Sequence, residues 1–266
     1  MFDYHMHSTV SCDGKSSALE MALAAKRAGL REICFTDHID HEVEGLDERW
    51  VFSLADYARA YDALEIPGLK IRRGMEFGIS EHNAEQLRAD SVAREYDFII
   101  GSVHCVQGLD VYWPEFWAGR RVEEVYRSYL EQTLRAVRAQ DGFDVLGHLT
   151  YICKCTGNPT KAPLLYREHR EIVDEILRTL ACKGIGLEIN TSGIGKCGFY
   201  LPTADYLRRF RELGGEIVTV GSDAHHASRV GEYTREAAAL ALEIFGHVCT
   251  FSARKPIFHR RLQEAL

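Results

Sequence analysis

The sequence predicts a β/α barrel, and three observations predict it. Short apolar, β-rich runs alternate with amphipathic segments, the alternation repeats seven times, and nearly every run ends in a histidine or a carboxylate. The first two observations predict parallel strands joined by helical crossovers, which suits a doubly wound open sheet as well as a barrel. The third decides between them. An open sheet gathers its ligands in one crevice where strand order reverses, whereas polar groups at successive strand ends converge when the strands form a ring.

The predicted strands cover 2–5, 32–37, 70–76, 97–103, 143–148, 185–190 and 216–221, with a further short run at 248–251. The first helix opens on Ser17-Ala18-Leu19-Glu20, a capping box, and stops at Gly29. Helical patterns follow at about 53–64, 83–94, 121–140, 165–183, 203–213 and 231–245. No Pro/Gly/Ser-rich linker or charge block interrupts the 266 residues, so one domain over 1–266 is expected. A barrel of this kind typically uses about 250.

Composition excludes some functions. A net charge of −7 and a pI near 6.0 argue against a general nucleic-acid or membrane binder, leaving a small molecule as the expected partner. Met1 to His7 lack the basic and apolar regions of a signal peptide, and no apolar run approaches the roughly 18 residues of a membrane span. The eight cysteines are scattered without a CxxC pair, which suits reduced thiols in a cytoplasmic protein. Cys153-x-Cys155 is a weaker signal for metal or redox chemistry.

The chemistry lies at the strand ends. In His5-Met6-His7, positions i and i+2 of a strand face one side, so both imidazoles can reach one ion. With twelve histidines in the chain, roughly half an HxH pair is expected by chance, so context is required. It comes from Phe35-Thr36-Asp37-His38, Gly74-Met75-Glu76, Gly101-Ser102-Val103-His104, Gly147-His148 and Gly221-Ser222-Asp223-Ala224-His225. A single such histidine is as readily a hydrogen-bonded strand terminus. A whole ring of them is costly to desolvate unless something binds it. Asp13, Glu76 and Asp223 would also repel one another, by about 4 kcal/mol per pair at about 4 Å and an effective dielectric near 20. Divalent cations remove that conflict, and mixed nitrogen and oxygen donors suit zinc, manganese or iron.

These motifs, in this order, resemble the polymerase-and-histidinol-phosphatase (PHP) superfamily, and within it the histidinol-phosphatases. The resemblance spans essentially the whole chain. It implies a distorted (β/α)7 TIM-like barrel and two or three divalent ions. His5 and His7 would hold one ion with Glu76 and Asp223, and Glu76 would bridge to a second held by His104 and His148. A third would take His38, His225 and Asp13, where many relatives carry histidine in place of Asp13. The segment Leu187-Glu188-Ile189-Asn190-Thr191-Ser192-Gly193 resembles the stretch after the sixth strand of histidinol-phosphatases, and Asn190 and Ser192 become substrate-binding candidates. Relatives often grip phosphate with loop arginines. Here Lys154, Lys161 and Lys196 stand in those loops, with His226 and Arg229 as further candidates.

The implied reaction is hydrolysis of L-histidinol phosphate to L-histidinol and phosphate in histidine biosynthesis. The alternative is another small ester, such as a nucleotide. Two metals suit the task, since they acidify a water and neutralise phosphoryl oxygens. Glu76, Asp223 and His225 are the catalytic candidates, with Asp223 or His225 passing a proton to the leaving oxygen. A non-catalytic metal-binding domain and a metal-dependent amide or lactone hydrolase are the readings from other classes. The aromatic residues Tyr112, Trp113, Phe116 and Trp117 are expected to form a packed satellite core.

Overall fold

The computed structural model describes residues 1–41 and 50–260. In chain order the elements are β1 (Phe2–Asp3), α1 (Ala18–Arg27), β2 (Glu32–Ile39), α2 (Leu54–Tyr61), β3 (Lys70–Gly78), α3 (Ala84–Val92) and β4 (Phe98–Ser102). A small hairpin follows, β5 (Cys105–Val106) and β6 (Leu109–Asp110), then α4 (Pro114–Trp117), α5 (Val122–Ala139) and β7 (Val145–Leu146). The chain continues through α6 (Arg170–Lys183), β8 (Gly186–Asn190), α7 (Ser192–Cys197), α8 (Ala204–Glu212), β9 (Val218–Gly221) and α9 (Thr234–Phe245). It ends in a hairpin of β10 (Val248–Ser252) and β11 (Lys255–His259).

Seven parallel strands form one sheet in the order β1-β2-β3-β4-β7-β8-β9. Its two ends meet. Tyr4 N–H donates to Val220 O at 2.9 Å, Asp223 N–H to His5 O at 2.8 Å and His7 N–H to Ala224 O at 2.9 Å, so β9 and its extension close onto β1. The fold is therefore a (β/α)7 barrel, as expected. Two strands are much shorter than the sequence suggested, β1 covering two residues of 2–5 and β7 two of 143–148, whereas β2 and β3 run on to Ile39 and Gly78. The ligand-bearing residues after β1 and β7 lie beyond the regular ladder, His5 and His7 held by the closing hydrogen bonds and His148 by its N–H donating to Glu188 at 2.7 Å.

Helix α1 shows the predicted capping box, with the Ser17 hydroxyl accepting from Glu20 N–H and the Glu20 carboxylate from Ser17 N–H. Segment 165–183 is helical from Arg170, with a short 3-10 turn at Tyr166–Glu168 before it. The run at 248–251 is a strand, but it pairs antiparallel with β11 outside the barrel sheet.

That hairpin seals the end of the barrel opposite the ligands. Ala253 N–H donates to the Asp97 carboxylate at 3.0 Å, and Arg254 reaches Asp144 at 2.6 Å and the Gly142 carbonyl at 2.7 Å. Asp97 and Asp144 immediately precede β4 and β7. The mean cost of losing such a charged hydrogen-bonded contact is about 2 kcal/mol. Arg254→Met is therefore expected to lower the unfolding free energy by that amount, read as a lower urea midpoint at unchanged m-value, while kcat changes little because the site is at the other face. An unaltered midpoint would show that the hairpin does not brace the barrel.

Candidate metal centre and substrate pocket

Register places the first pair of ligands. Strands β2 and β3 run parallel with His38 opposite Glu76, so both side chains project to the same side of the sheet. Glu76 is fully buried at the centre of the cluster. Its Oε1 lies 2.8 Å from His148 Nε2 and 3.5 Å from His104 Nε2. Its Oε2 lies 3.0 Å from His38 Nδ1, 3.2 Å from His5 Nε2 and 3.4 Å from His7 Nε2. Asp223 Oδ1 stands 3.6 Å from His7 Nε2 and 3.9 Å from His5 Nε2. Asp13 closes the outer side, 3.0 Å from His225 Nε2 and 3.6 Å from His38 Nε2. All the predicted metal ligands are thus brought together at the C-terminal mouth of the barrel.

The rings are aimed by contacts to their other nitrogen. Nδ1–H of His5 donates to Glu188 at 2.7 Å, and Nδ1 of His7 meets the Ser11 hydroxyl at 3.2 Å. Nδ1 of His104 lies 3.1 Å from Asp40, and Nδ1 of His225 lies 3.0 Å from the Asp223 carbonyl. All four therefore present Nε2 to the cluster, the arrangement by which carboxylates and carbonyls orient metal-binding histidines. Ser11 is itself held by the buried Asp37, which accepts from its hydroxyl at 2.9 Å and from Ser8 N–H at 2.9 Å. Gly221 makes room for the pair of His5 and Glu188. A Cβ there would stand 2.3 Å from His5 Cβ and 2.4 Å from Glu188 Oε1. Asp223 adopts the left-handed region at φ 54, an uncommon backbone for a non-glycine residue that such sites retain when the surroundings enforce it.

Four interlocking groups have donor atoms within 4.8 Å of one another: His7, His38 and His225; His5, Glu76 and His148; His5, His7 and Asp223; and His38, Asp40 and His104. Glu76 Oε1 faces both His104 and His148, as the expected division has it, while Glu76 also joins His148 to His5 and Asp40 adds a carboxylate beside His38 and His104. Asp40 was missed by sequence reasoning, although it lies two residues after His38 and that spacing was a usable signal. Glu188 was quoted within the histidinol-phosphatase-like segment 187–193, of which only Asn190 and Ser192 were named as candidates.

Charge supports a cation here. Burial alone would raise Glu76, yet His5, His38 and His104 hold its carboxyl well below the usual range. Burial opposes ionisation of Asp223 too, and Lys154, His5 and His225 outweigh it. Burial and the neighbouring His225 and His38 push His7 well below the ordinary imidazole value. Asp13 Oδ1, His38 Nδ1 and Glu76 Oε2 are buried without a hydrogen-bond partner. Such orphaned atoms are rare in folded proteins, and here they border a set of mixed nitrogen and oxygen donors. The residues fit divalent ions.

Over the cluster opens a pocket of about 420 Å³, whose lining includes Lys15, Lys154, Lys196, His226, Arg229 and Ser192. Lys154 is 6% exposed. Its ammonium donates to Ser192 Oγ at 2.7 Å and to Asp223. Asn190 joins this network, accepting from the Ser192 hydroxyl at 2.6 Å and donating to Asp223 at 3.4 Å. Ser192 opens the short helix α7. Lys196 Nζ sits 5.4 Å over the Tyr112 ring. Lys161 is not brought into the pocket lining, because its ammonium is engaged by the Cys155 carbonyl. Lys15 was not anticipated. The aromatic residues divide: Phe116 and Trp117 are buried in the core, whereas Tyr112 and Trp113 line the pocket.

The PHP domain family model matches residues 3–192, and the ligands on the β9 end lie beyond that match. A histidinol-phosphatase of Lactococcus lactis subsp. lactis (strain IL1403) is 33% identical over 258 residues, 95% of each chain. A Clostridium acetobutylicum protein named "Probable histidinol-phosphatase" is 30% identical, over 91% of this chain and 92% of the relative. Among solved structures, the L. lactis histidinol phosphate phosphatase complexed with zinc, L-histidinol and phosphate has a TM-score of 0.86 at 32% identity, covering 96% of this chain and 98% of that one.

Proposed function

The chain belongs to the PHP domain family, and from that premise we propose that it is a metal-dependent phosphomonoesterase that hydrolyses L-histidinol phosphate to L-histidinol and phosphate, a step of histidine biosynthesis. The observation that carries the reading is the convergence of six histidines with Asp13, Glu76 and Asp223 beneath a pocket lined by basic side chains. The whole-length similarity to histidinol-phosphatases supports the choice of ester. The proposed domain runs over 1–266, since β9, beyond the family match, completes the barrel sheet and the β10–β11 hairpin packs against that barrel. A cytoplasmic site of action accompanies the biosynthetic role.

His5, His7, Asp13, His38, Glu76, His104, His148, Asp223 and His225 are the proposed ligands of two or three zinc, manganese or iron ions, with Asp40 and Glu188 orienting them. Bound divalent ions supply acidification of water and neutralisation of phosphoryl oxygens. Lys154, held protonated by Asp223 although burial opposes its charge, provides a fixed cation for those oxygens. Lys196 and Arg229 add positive charge at the pocket wall, and Ser192 and Asn190 keep Lys154 and Asp223 in register. For the departing alkoxide, Asp223 with His225 is the proposed proton route. Nδ1 of His225 stands 3.4 Å from Asp223 Oδ1, and the Lys154 ammonium occupies the other carboxylate oxygen.

The test is phosphate release from L-histidinol phosphate by purified protein, with manganese or zinc and with a chelator. Turnover should be chelator-sensitive and should exceed that on nucleotides and an aryl phosphate. Metal-dependent hydrolysis of other esters alone would remove the substrate assignment. Absence of hydrolysis by the metal-loaded protein would remove the phosphatase reading.

A further inference from the structure

The pocket lining contains five carboxylates, Asp13, Asp40, Glu76, Asp110 and Asp223. Four belong to the histidine cluster, and the fifth, Asp110, lies outside it. Asp110 ends β6, and a backbone bond from Val111 N–H to His104 O at 3.0 Å ties this hairpin beside a proposed metal ligand. One carboxylate oxygen of Asp110 accepts from Tyr112 N–H at 2.8 Å. Its charged neighbours are His104 and Asp40, and no lysine or arginine pairs with it among the described residues.

Around this carboxylate stand aromatic rings. Tyr112, Trp113 and Tyr151 share the lining, and the Trp113 side chain remains 49% exposed. The segment that carries them is fixed in place. Gly157 N–H donates to Tyr112 O at 2.9 Å, and a Cβ on Gly157 would stand 2.6 Å from Trp113 O and 2.1 Å from Trp117 Cδ1. Trp117 Nε1–H donates to Val111 O at 2.8 Å. A half-buried carboxylate with aromatic faces is a receptor for an organic cation, through charge-assisted hydrogen bonding and cation–π attraction. The rest of the wall is basic and suits the phosphate.

We propose that Asp110 is a specificity-determining residue that binds the positively charged part of the substrate's leaving group, an ammonium or imidazolium, beside the exposed ring of Trp113. This deepens the phosphomonoesterase reading and rests on it. The pocket thereby discriminates between zwitterionic and simply anionic phosphate esters, attracting the phosphate at its metal end and the cation at the hairpin.

The experiment compares kcat/KM for aminopropyl phosphate and butyl phosphate, which match in size and differ in the terminal charge, on the metal-loaded protein. The wild type is expected to prefer the aminoalkyl ester. In Asp110→Asn the charged ester should lose about tenfold more than the uncharged one, the size of one charge-assisted hydrogen bond, with Asp110→Glu restoring part of the preference. A wild type indifferent to the charge, or a preference that survives in Asp110→Asn, overturns the proposal. Failure of the substrate assignment looks different. There, the charge preference and its loss in the variant persist while L-histidinol phosphate itself is not hydrolysed.

Discussion

Replacing Glu76 with glutamine is expected to lower kcat/KM on any phosphate ester by at least about 10³-fold and to reduce the metal bound per chain. A loss of 10³ corresponds to about 4 kcal/mol of transition-state stabilisation, within what a metal ion supplies to developing charge. The geometry explains why one residue carries so much. The two oxygens of Glu76 meet nitrogens of five histidines between 2.8 and 3.5 Å, and Ser102 donates to Oε1 at 2.6 Å. Glutamine keeps the volume, removes the negative charge and turns an amide N–H toward imidazole nitrogens that ought to face a cation. Elemental analysis of metal per chain beside steady-state kinetics checks the point. A fully loaded variant with near-native turnover would remove Glu76 from its bridging role.

Lys154→Met should cost about 10² to 10³ in kcat/KM, the usual range for one preorganised charged or polar donor to transition-state charge, while the metal load is kept. Lys154 is buried and cationic because Asp223 compensates for the desolvation. Without it, Asp223 retains only Ser192 and Asn190 on that side. In metal-free protein this leaves the buried carboxylate with the neighbouring histidines as its remaining charge compensation, and a loss of stability of up to about 3 kcal/mol is expected. Bound metal should offset that loss. Activity loss with metal retained is thus the signature of a phosphate-gripping role. Parallel loss of metal and activity would instead make Lys154 a support for Asp223.

The predicted ligands other than Asp13 were readable because they stand at or just beyond strand ends, where local alternation decides which way a side chain points. His5 and His7 differ by two positions, and so do His38 and Asp40. The first spacing was used and the second was passed over; Asp37, between Thr36 and His38, lies on the other face. That carboxylate faces Ser8, Ser11 and Tyr61 instead, as a neighbour of opposite parity must. Lys161 shows the limit of the same reasoning. A loop lysine has no periodicity to aim it, and a nearby carbonyl at Cys155 captured its ammonium.

The two hairpins show what local signals could not supply. Their turns, Gln107-Gly108 and Ala253-Arg254, have both central residues at positive φ, the conformation that Asn-Gly or Asp-Gly favours. Ala-Arg carries no such preference. Asp97, Asp144 and Gly142 hold that turn from distant parts of the chain, so its existence depends on contacts absent from the local sequence.

By itself the sequence determined the alternation of strands and helices, the ring of polar strand ends and thus the barrel with its candidate metal ligands. Those features follow from spacings of two and three to four residues, which backbone geometry converts directly into faces. The tertiary structure alone decided which carboxylates orient the histidines, which lysine enters the pocket and how the aromatic segment divides between core and wall. These are matters of which surfaces meet after the chain closes, as when β9 hydrogen-bonds to β1 from more than two hundred residues away, and no local periodicity encodes them.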